Sequence, residues 1–154
     1  LSVAWSSDAH HIITPSKAGP ETCIREALAN AGVEPKDIDT WDMHATATPG
    51  DWTELQLATE VLGDDVQLTA RKGVFGHGMS VCGGWELTAQ HMGLSEGRLH
   101  PVGISDGEFH PSFEDHKSQL VKDEEVKTDA SIAGKINMGV GGINTVMICR
   151  KWSE

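Results

Sequence analysis

Three helical segments, each closed by a glycine, alternate with short apolar strands, and that alternation leaves few folds open to this chain. Gly19-Pro20-Glu21 opens the first helix, with proline and glutamate where a first turn favours them. Cys23, Ile24, Ala27, Leu28 and Ala31 then recur at i, i+3 and i+4, and Gly32 closes the segment. A second helix runs from about Asp51 to Leu62, with Leu55, Ala58, Val61 and Leu62 on one face, and stops at Gly63. A third spans roughly Val81 to Glu96 and ends at Gly97. Strands are expected over residues 1–6, Asp39–Met43 and Val66–Ala70. Two more, Ile132–Met138 and Asn144–Lys151, are joined by the turn Gly139-Val140-Gly141-Gly142. This order predicts an α/β domain with a mixed sheet flanked by helices. Residues 99–129, rich in proline, histidine and charge, read as irregular, with Asp123-Glu124-Glu125 as a solvated loop.

The chain of 154 residues is one domain's worth, and 38% hydrophobic with 23% charged residues suits a globular protein. No apolar run approaches the roughly 20 residues that span a bilayer. Leu1-Ser2-Val3-Ala4-Trp5 has neither the basic start nor the apolar core of a signal peptide, so residue 1 reads as a cut or a domain boundary. A net charge of −11, without a basic stripe or an aromatic platform, argues against a nucleic-acid partner. An acidic protein partner would need a local basic patch, for which Arg71 with Lys72, or Arg150 with Lys151, are the candidates. Cys23, Cys82 and Cys149 are widely spaced and show no metal-binding pattern, which points to reduced thiols in the cytoplasm. Cys82, at a helix start, is read as a small buried thiol in preference to a reactive one.

Two histidines stand in turns lined by small residues. His44 lies in Asp42-Met43-His44-Ala45-Thr46-Ala47-Thr48-Pro49-Gly50-Asp51, where a strand gives way to a turn, the place at which ligands meet α/β sheets. Thr46 and Thr48, on an extended segment, would offer alternate hydroxyls to a polar ligand arm, or else satisfy the turn's own backbone. His77 lies in Lys72-Gly73-Val74-Phe75-Gly76-His77-Gly78, ahead of the third helix. Its ring faces the positive end of that helix, which favours a neutral imidazole, and Lys72 acts in the same sense if it is close. Two neutral imidazoles together would bind a developing enolate oxygen. Glu86 is placed to pair with Lys72, although taken singly they read as a solvated helix glutamate and a surface lysine. The Gly139–Gly142 turn would present backbone N–H groups to an anion.

In this order the motifs resemble the C-terminal half of a β-ketoacyl-acyl-carrier-protein synthase, the condensing enzyme of fatty-acid and polyketide synthesis. Ser6-Ser7-Asp8-Ala9-x-His11 resembles the entry to that half. His44-x-Thr46-x-Thr48 with Asp51 and Glu54 resembles its first histidine loop, Lys72-x-x-x-Gly76-His77 its second, and Asn137 to Asn144 its terminal glycine loop. The resemblance implies the C-terminal half of a thiolase-like fold, completed by an N-terminal half that carries the nucleophilic cysteine and is absent from these residues. It implies that His44 and His77 promote decarboxylation of a malonyl thioester and stabilise the enolate, with Lys72 and Glu86 supporting His77. Thr46, Thr48 and Gly141 would bind the substrate's phosphopantetheine arm, with Asp51 and Glu54 in support, and the Val140 N–H would supply half of an oxyanion hole. The partners implied are an acyl carrier protein and the cysteine-bearing half, in a homo- or heterodimer, with no covalently bound cofactor and no metal. This sequence departs from the family at Ala45, where glycine is usual, at Met138 and Val140, where phenylalanines are usual, and in a His44-to-Asp51 spacing one residue short. Such departures also fit a non-catalytic partner of the chain-length-factor type. A thiolase acting on coenzyme A thioesters fits less well, given the Lys72-to-His77 motif.

Overall fold

The computed structural model describes residues 1–8, 16–122 and 124–153. Ala9 and His11 of the entry motif, and Asp123 of the acidic cluster, lie outside them. Five strands form one mixed sheet: β1 (Ser2–Ser7), β2 (Thr40–Asp42), β3 (Gln67–Thr69), β6 (Ile132–Gly139) and β7 (Ile143–Arg150). Their order across the sheet is β1-β7-β6-β2-β3, with β1, β7 and β6 antiparallel and β6, β2 and β3 parallel. The chain therefore reaches its antiparallel hairpin last. The parallel strands are linked by the helices that the glycine-closed periodic segments predict: α1 (Ala18–Ala31), α2 (Gly50–Leu62) and α4 (Cys82–Glu96). Gly32 and Gly97 end α1 and α4 in the left-handed conformation, at φ 65° and 68°.

Alternation along the strands sorts side chains between two faces. Ile132, Ile136, Trp41, Val146, Ile148 and Ala4 join Ile24, Ala27 and Leu28 of α1 and Leu55, Ala58 and Val61 of α2 in the main core. The opposite face of β6 carries Ala133, which packs with Leu94 of α4, and the polar pair Lys135 and Asn137. Gln90 of α4 donates to the Gly134 carbonyl at 2.8 Å and fastens the helix to the sheet. On that same side of β1 and β7, Val3, Trp5 and Ile143 remain exposed.

Gly134 is required by packing. A Cβ there would lie 2.1 Å from a ring carbon of the fully buried Trp41, which sits opposite it in the register of β2 and β6. Gly134→Ala is expected to cost about 1–3 kcal/mol through overpacking, read as a lower midpoint in chemical denaturation of the complete protein.

Residues 99–129 are framed by a short antiparallel pair, β4 (Arg98–Leu99) and β5 (Val126–Lys127). Glu125 stays solvent-exposed, as a loop residue should, but also pairs with Arg98 and His100 at 3.0 Å. A four-residue helix, α3 (Lys72–Phe75), forms where the sequence reading gives only a turn.

Candidate active site

Three neighbouring parallel strands deliver the candidate residues to one edge of the sheet. β2 ends at Asp42, two residues before His44; β3 ends at Thr69, just before Arg71 and Lys72; β6 runs on to the turn that holds Val140 and Gly141. This is the carboxyl end of the parallel strands, where α/β sheets present ligand sites. The β6–β7 turn needs glycine: Gly141 and Gly142 sit at φ 94° and 84°, and Val140 stands exposed at its tip.

The His44 loop is gripped by two carboxylates from the beginning of α2. Glu54 accepts the backbone N–H groups of His44 and, at 2.9 Å, Ala45; Asp51 accepts those of Thr46 at 3.0 Å and Ala47 at 2.9 Å. Four successive amides are thus satisfied, and the chain between them coils. Ala45 and Ala47 take positive φ values of 22° and 58°, a region that favours glycine. The extended arrangement expected for Thr46 and Thr48 is therefore corrected. Their hydroxyls lie 3.1 Å from each other, and Thr48 also lies 3.4 Å from Asp51, so the turn's own polar groups already engage them. Burial drives the Glu54 carboxyl up to about 7, against the lowering effect of the two amides that it accepts.

Behind the loop runs a buried series of charges. Lys72 Nζ donates to the His44 carbonyl and lies 2.7 Å from Glu86 Oε1. Glu86 Oε2 lies 2.7 Å from Lys135 Nζ, and Lys135 Nζ lies 3.4 Å from Asp42 Oδ2. Asp42 Oδ2 in turn lies 3.3 Å from Arg71 Nε. Burial alone would raise Glu86, but Lys135 and Lys72 outweigh it and hold the carboxyl at about 2. Asn137 donates to Glu86 Oε2 at 3.2 Å, and the buried Cys82 thiol donates to Oε1 at 3.3 Å. The reading of Lys72 as a surface lysine and of Glu86 as a solvated glutamate is thereby overturned. So is Arg71 with Lys72 as a basic docking patch: both are buried and paired. Arg150 is exposed and Lys151 partly so.

The His44 and His77 rings meet edge to face, with centroids 6.0 Å apart and planes at 88°. His77 Nδ1 accepts the Met79 N–H at 3.1 Å, so the proton of that ring sits on Nε2. That amide opens the short turn Met79–Val81 leading directly into α4. His44 Nδ1 is buried without a hydrogen-bond partner among the described residues, which favours a proton on Nε2 there too. Burial first, and then Lys72, push His44 down to about 3, so its ring is neutral at ordinary pH.

That depression has a consequence for stability. The unfolded chain binds more protons at His44 than the folded one between about pH 3 and 6.5, so this contribution is lost as pH falls through that window. Glu86 acts in the same direction below its ordinary value of 4.5, whereas Glu54, raised to about 7, opposes it between 4.5 and 7. Because His44 and Glu54 offset each other between about pH 4.5 and 6.5, the denaturation midpoint of His44→Ala should decline less, or rise more, than that of the wild type as pH falls from 6.5 to 4. An unchanged pH dependence would mean that His44 is not held neutral by the fold.

The sequence reading missed Lys135, Asp42, Arg71 and Asn137 as partners of Glu86 and its neighbours. The signal for Lys135 was a lysine in the middle of an apolar strand, Ile132 to Met138.

Residues 1–103 match the sequence model described as the β-ketoacyl synthase C-terminal domain. The chain belongs to this family. It is 30% identical over 152 residues to the chloroplastic 3-oxoacyl-[acyl-carrier-protein] synthase I of Arabidopsis thaliana, covering 96% of this chain and 31% of that protein. It is also 30% identical over 153 residues to 3-oxoacyl-[acyl-carrier-protein] synthase 2 of Rhizobium meliloti, covering 96% and 35%. The synthase domain thus spans about a third of the length of these relatives. Among solved structures it superimposes on the ishigamide ketosynthase/chain length factor with a TM-score of 0.88 at 29% identity, over 98% of this chain and 37% of that one. A type II polyketide ketosynthase, solved in complex with its acyl-carrier protein, shares the fold at a TM-score of 0.86 and 20% identity, over 99% of this chain and 38% of that one. The ketosynthase C-terminal sheet and helices described above are therefore the C-terminal half of a thiolase-like fold.

Proposed function

We propose that these residues form the decarboxylating half of a condensing site, in a cytoplasmic β-ketoacyl synthase whose nucleophilic cysteine is carried elsewhere in the complete protein. The observation that carries this reading is the approach of His44 and His77 to 6.0 Å, in a mouth whose loops are held by the carboxylates of Glu54 and Asp51 and by Lys72. Two Nε2–H groups there converge on the thioester oxygen of a malonyl unit. The bond between the malonyl α-carbon and its carboxylate breaks, CO2 leaves, and the electron pair passes into an enolate whose oxygen the two imidazoles stabilise. The enolate carbon then attacks the acyl thioester on the cysteine. A carbon–carbon bond forms and the thiolate departs. The Val140 N–H serves the oxygen of the tetrahedral intermediate, and Gly141 leaves room beside it. Thr46 and Thr48 exchange their mutual contact for the phosphopantetheine arm of an acyl carrier protein.

The exposed Val3, Trp5 and Ile143 suit contact with the cysteine-bearing half, and the assembly is a homo- or heterodimer. The complete protein, given malonyl- and acyl-carrier protein, should yield a β-ketoacyl thioester detectable by mass spectrometry. Absence of that product, with intact folding and carrier binding, would favour a non-catalytic partner of the chain-length-factor kind.

A further inference from the structure

Lys135 is a buried cation that none of the steps above uses. It projects from β6 toward α4 with its side chain 3% exposed, and it touches two carboxylates on different elements: Glu86 of α4 at 2.7 Å and Asp42 of β2 at 3.4 Å. Asp42 lies two residues before His44 on one continuous segment. The His44 carbonyl is held by Lys72, Lys72 by Glu86 Oε1, and Glu86 by Lys135 through its other oxygen. These contacts close a ring: Lys135, Asp42, the chain to His44, Lys72, Glu86, and back to Lys135. Lys135 is thus a second tie, beside Lys72, between the helix that carries Glu86 and the strand that leads to His44.

We propose that Lys135 is a positioning residue for His44, fixing Glu86 so that Lys72 stays on the His44 carbonyl. The inference rests on the site reading above and deepens it. Removing Lys135 opens the ring yet leaves two balanced ion pairs, Glu86 with Lys72 and Asp42 with Arg71, so the fold is expected to survive. Four groups bear on the charge state of His44, the cations Lys72 of α3 and Lys135 of β6, Glu86 of α4 and His77 ahead of α4, while Glu54 of α2 faces the same residue and accepts its amide. Of these, Lys72 and Lys135 are the buried cations that oppose protonation of the ring.

The test uses the complete protein with Lys135→Met, Lys135→Gln and Lys135→Arg. Protonation of the His44 ring is followed by proton–carbon correlation spectra, assigned by loss of the signal in His44→Ala, and CO2 release from malonyl-carrier protein is measured across pH. In Lys135→Met the ring should protonate about one pH unit higher, because a buried cation has been removed. The kcat for CO2 release should fall roughly tenfold, with KM nearly unchanged, since misplacement and not lost binding is responsible. Lys135→Arg should recover both. Should Lys135→Met unfold, Lys135→Gln, which keeps an N–H toward Glu86 and leaves the Arg71–Asp42 pair intact, provides the same readings. A folded variant with an unshifted His44 titration, or an arginine variant that recovers neither, would overturn the proposal. Should the wild type release no CO2, the condensing-site reading fails by itself, and the ring titration still decides the role of Lys135.

Discussion

Glu86→Leu should destabilise the complete protein by about 3–5 kcal/mol, the largest structural effect expected from any single change at the site. The reason lies in the charge balance of the buried series. Three cations, Arg71, Lys135 and Lys72, share two carboxylates, Asp42 and Glu86, and each of these side chains is at most 6% exposed. Loss of Glu86 strands Lys72 and Lys135 in the interior with no carboxylate of their own. Lys135 then competes with Arg71 for Asp42, and Lys72 keeps the His44 carbonyl as its hydrogen-bond partner among the described residues. Loss of Lys72 is milder, because Glu86 keeps Lys135 and the remaining charges cancel. Lys72→Met should therefore cost no more than about half as much. Chemical denaturation of the two variants beside the wild type checks the order. Equal losses, or a greater loss at Lys72, would show that the series is not held together by charge balance.

Much of the fold was legible because its elements obey simple periods. The helices of residues 18–31, 50–62 and 82–96 appear where apolar spacing and terminal glycines place them, and the hairpin over 132–150 turns at its glycines. The two histidines, Lys72 and Glu86 were legible as types and spacings, and the structure brings them together at the carboxyl edge of the parallel strands. The course of the Thr46–Thr48 segment was not, because it follows from four amides seeking Asp51 and Glu54, and that demand coils residues whose own preference is extended. Nor was the burial of Arg71 legible. Nothing in Thr69-Ala70-Arg71-Lys72 shows that Asp42, from another strand, awaits the guanidinium. Lys135 was hidden for a like reason, since a lysine in a strand is buried only when partners on two other elements accept its charge.

The second large effect is expected at the histidines. If both rings donate an Nε2–H to one developing oxyanion, His44→Ala and His77→Ala should each lower the rate of malonyl-thioester decarboxylation about 10²- to 10³-fold, as removal of one preorganised donor does elsewhere. The double variant should fall by less than the product of the two losses, because both donors serve a single oxygen. His77→Gln should keep part of the rate, since an amide N–H also donates, and Met79 fixes only the acceptor side of the native ring. General-base catalysis at His77 predicts no such rescue. The decisive measurement is the rate of CO2 release from malonyl-carrier protein by the complete protein and by its His44→Ala and His77→Ala variants, under conditions where all three remain folded. A loss of at least about a hundredfold in each variant is the result the paired-donor site predicts. Release that continues unchanged without either ring would contradict it.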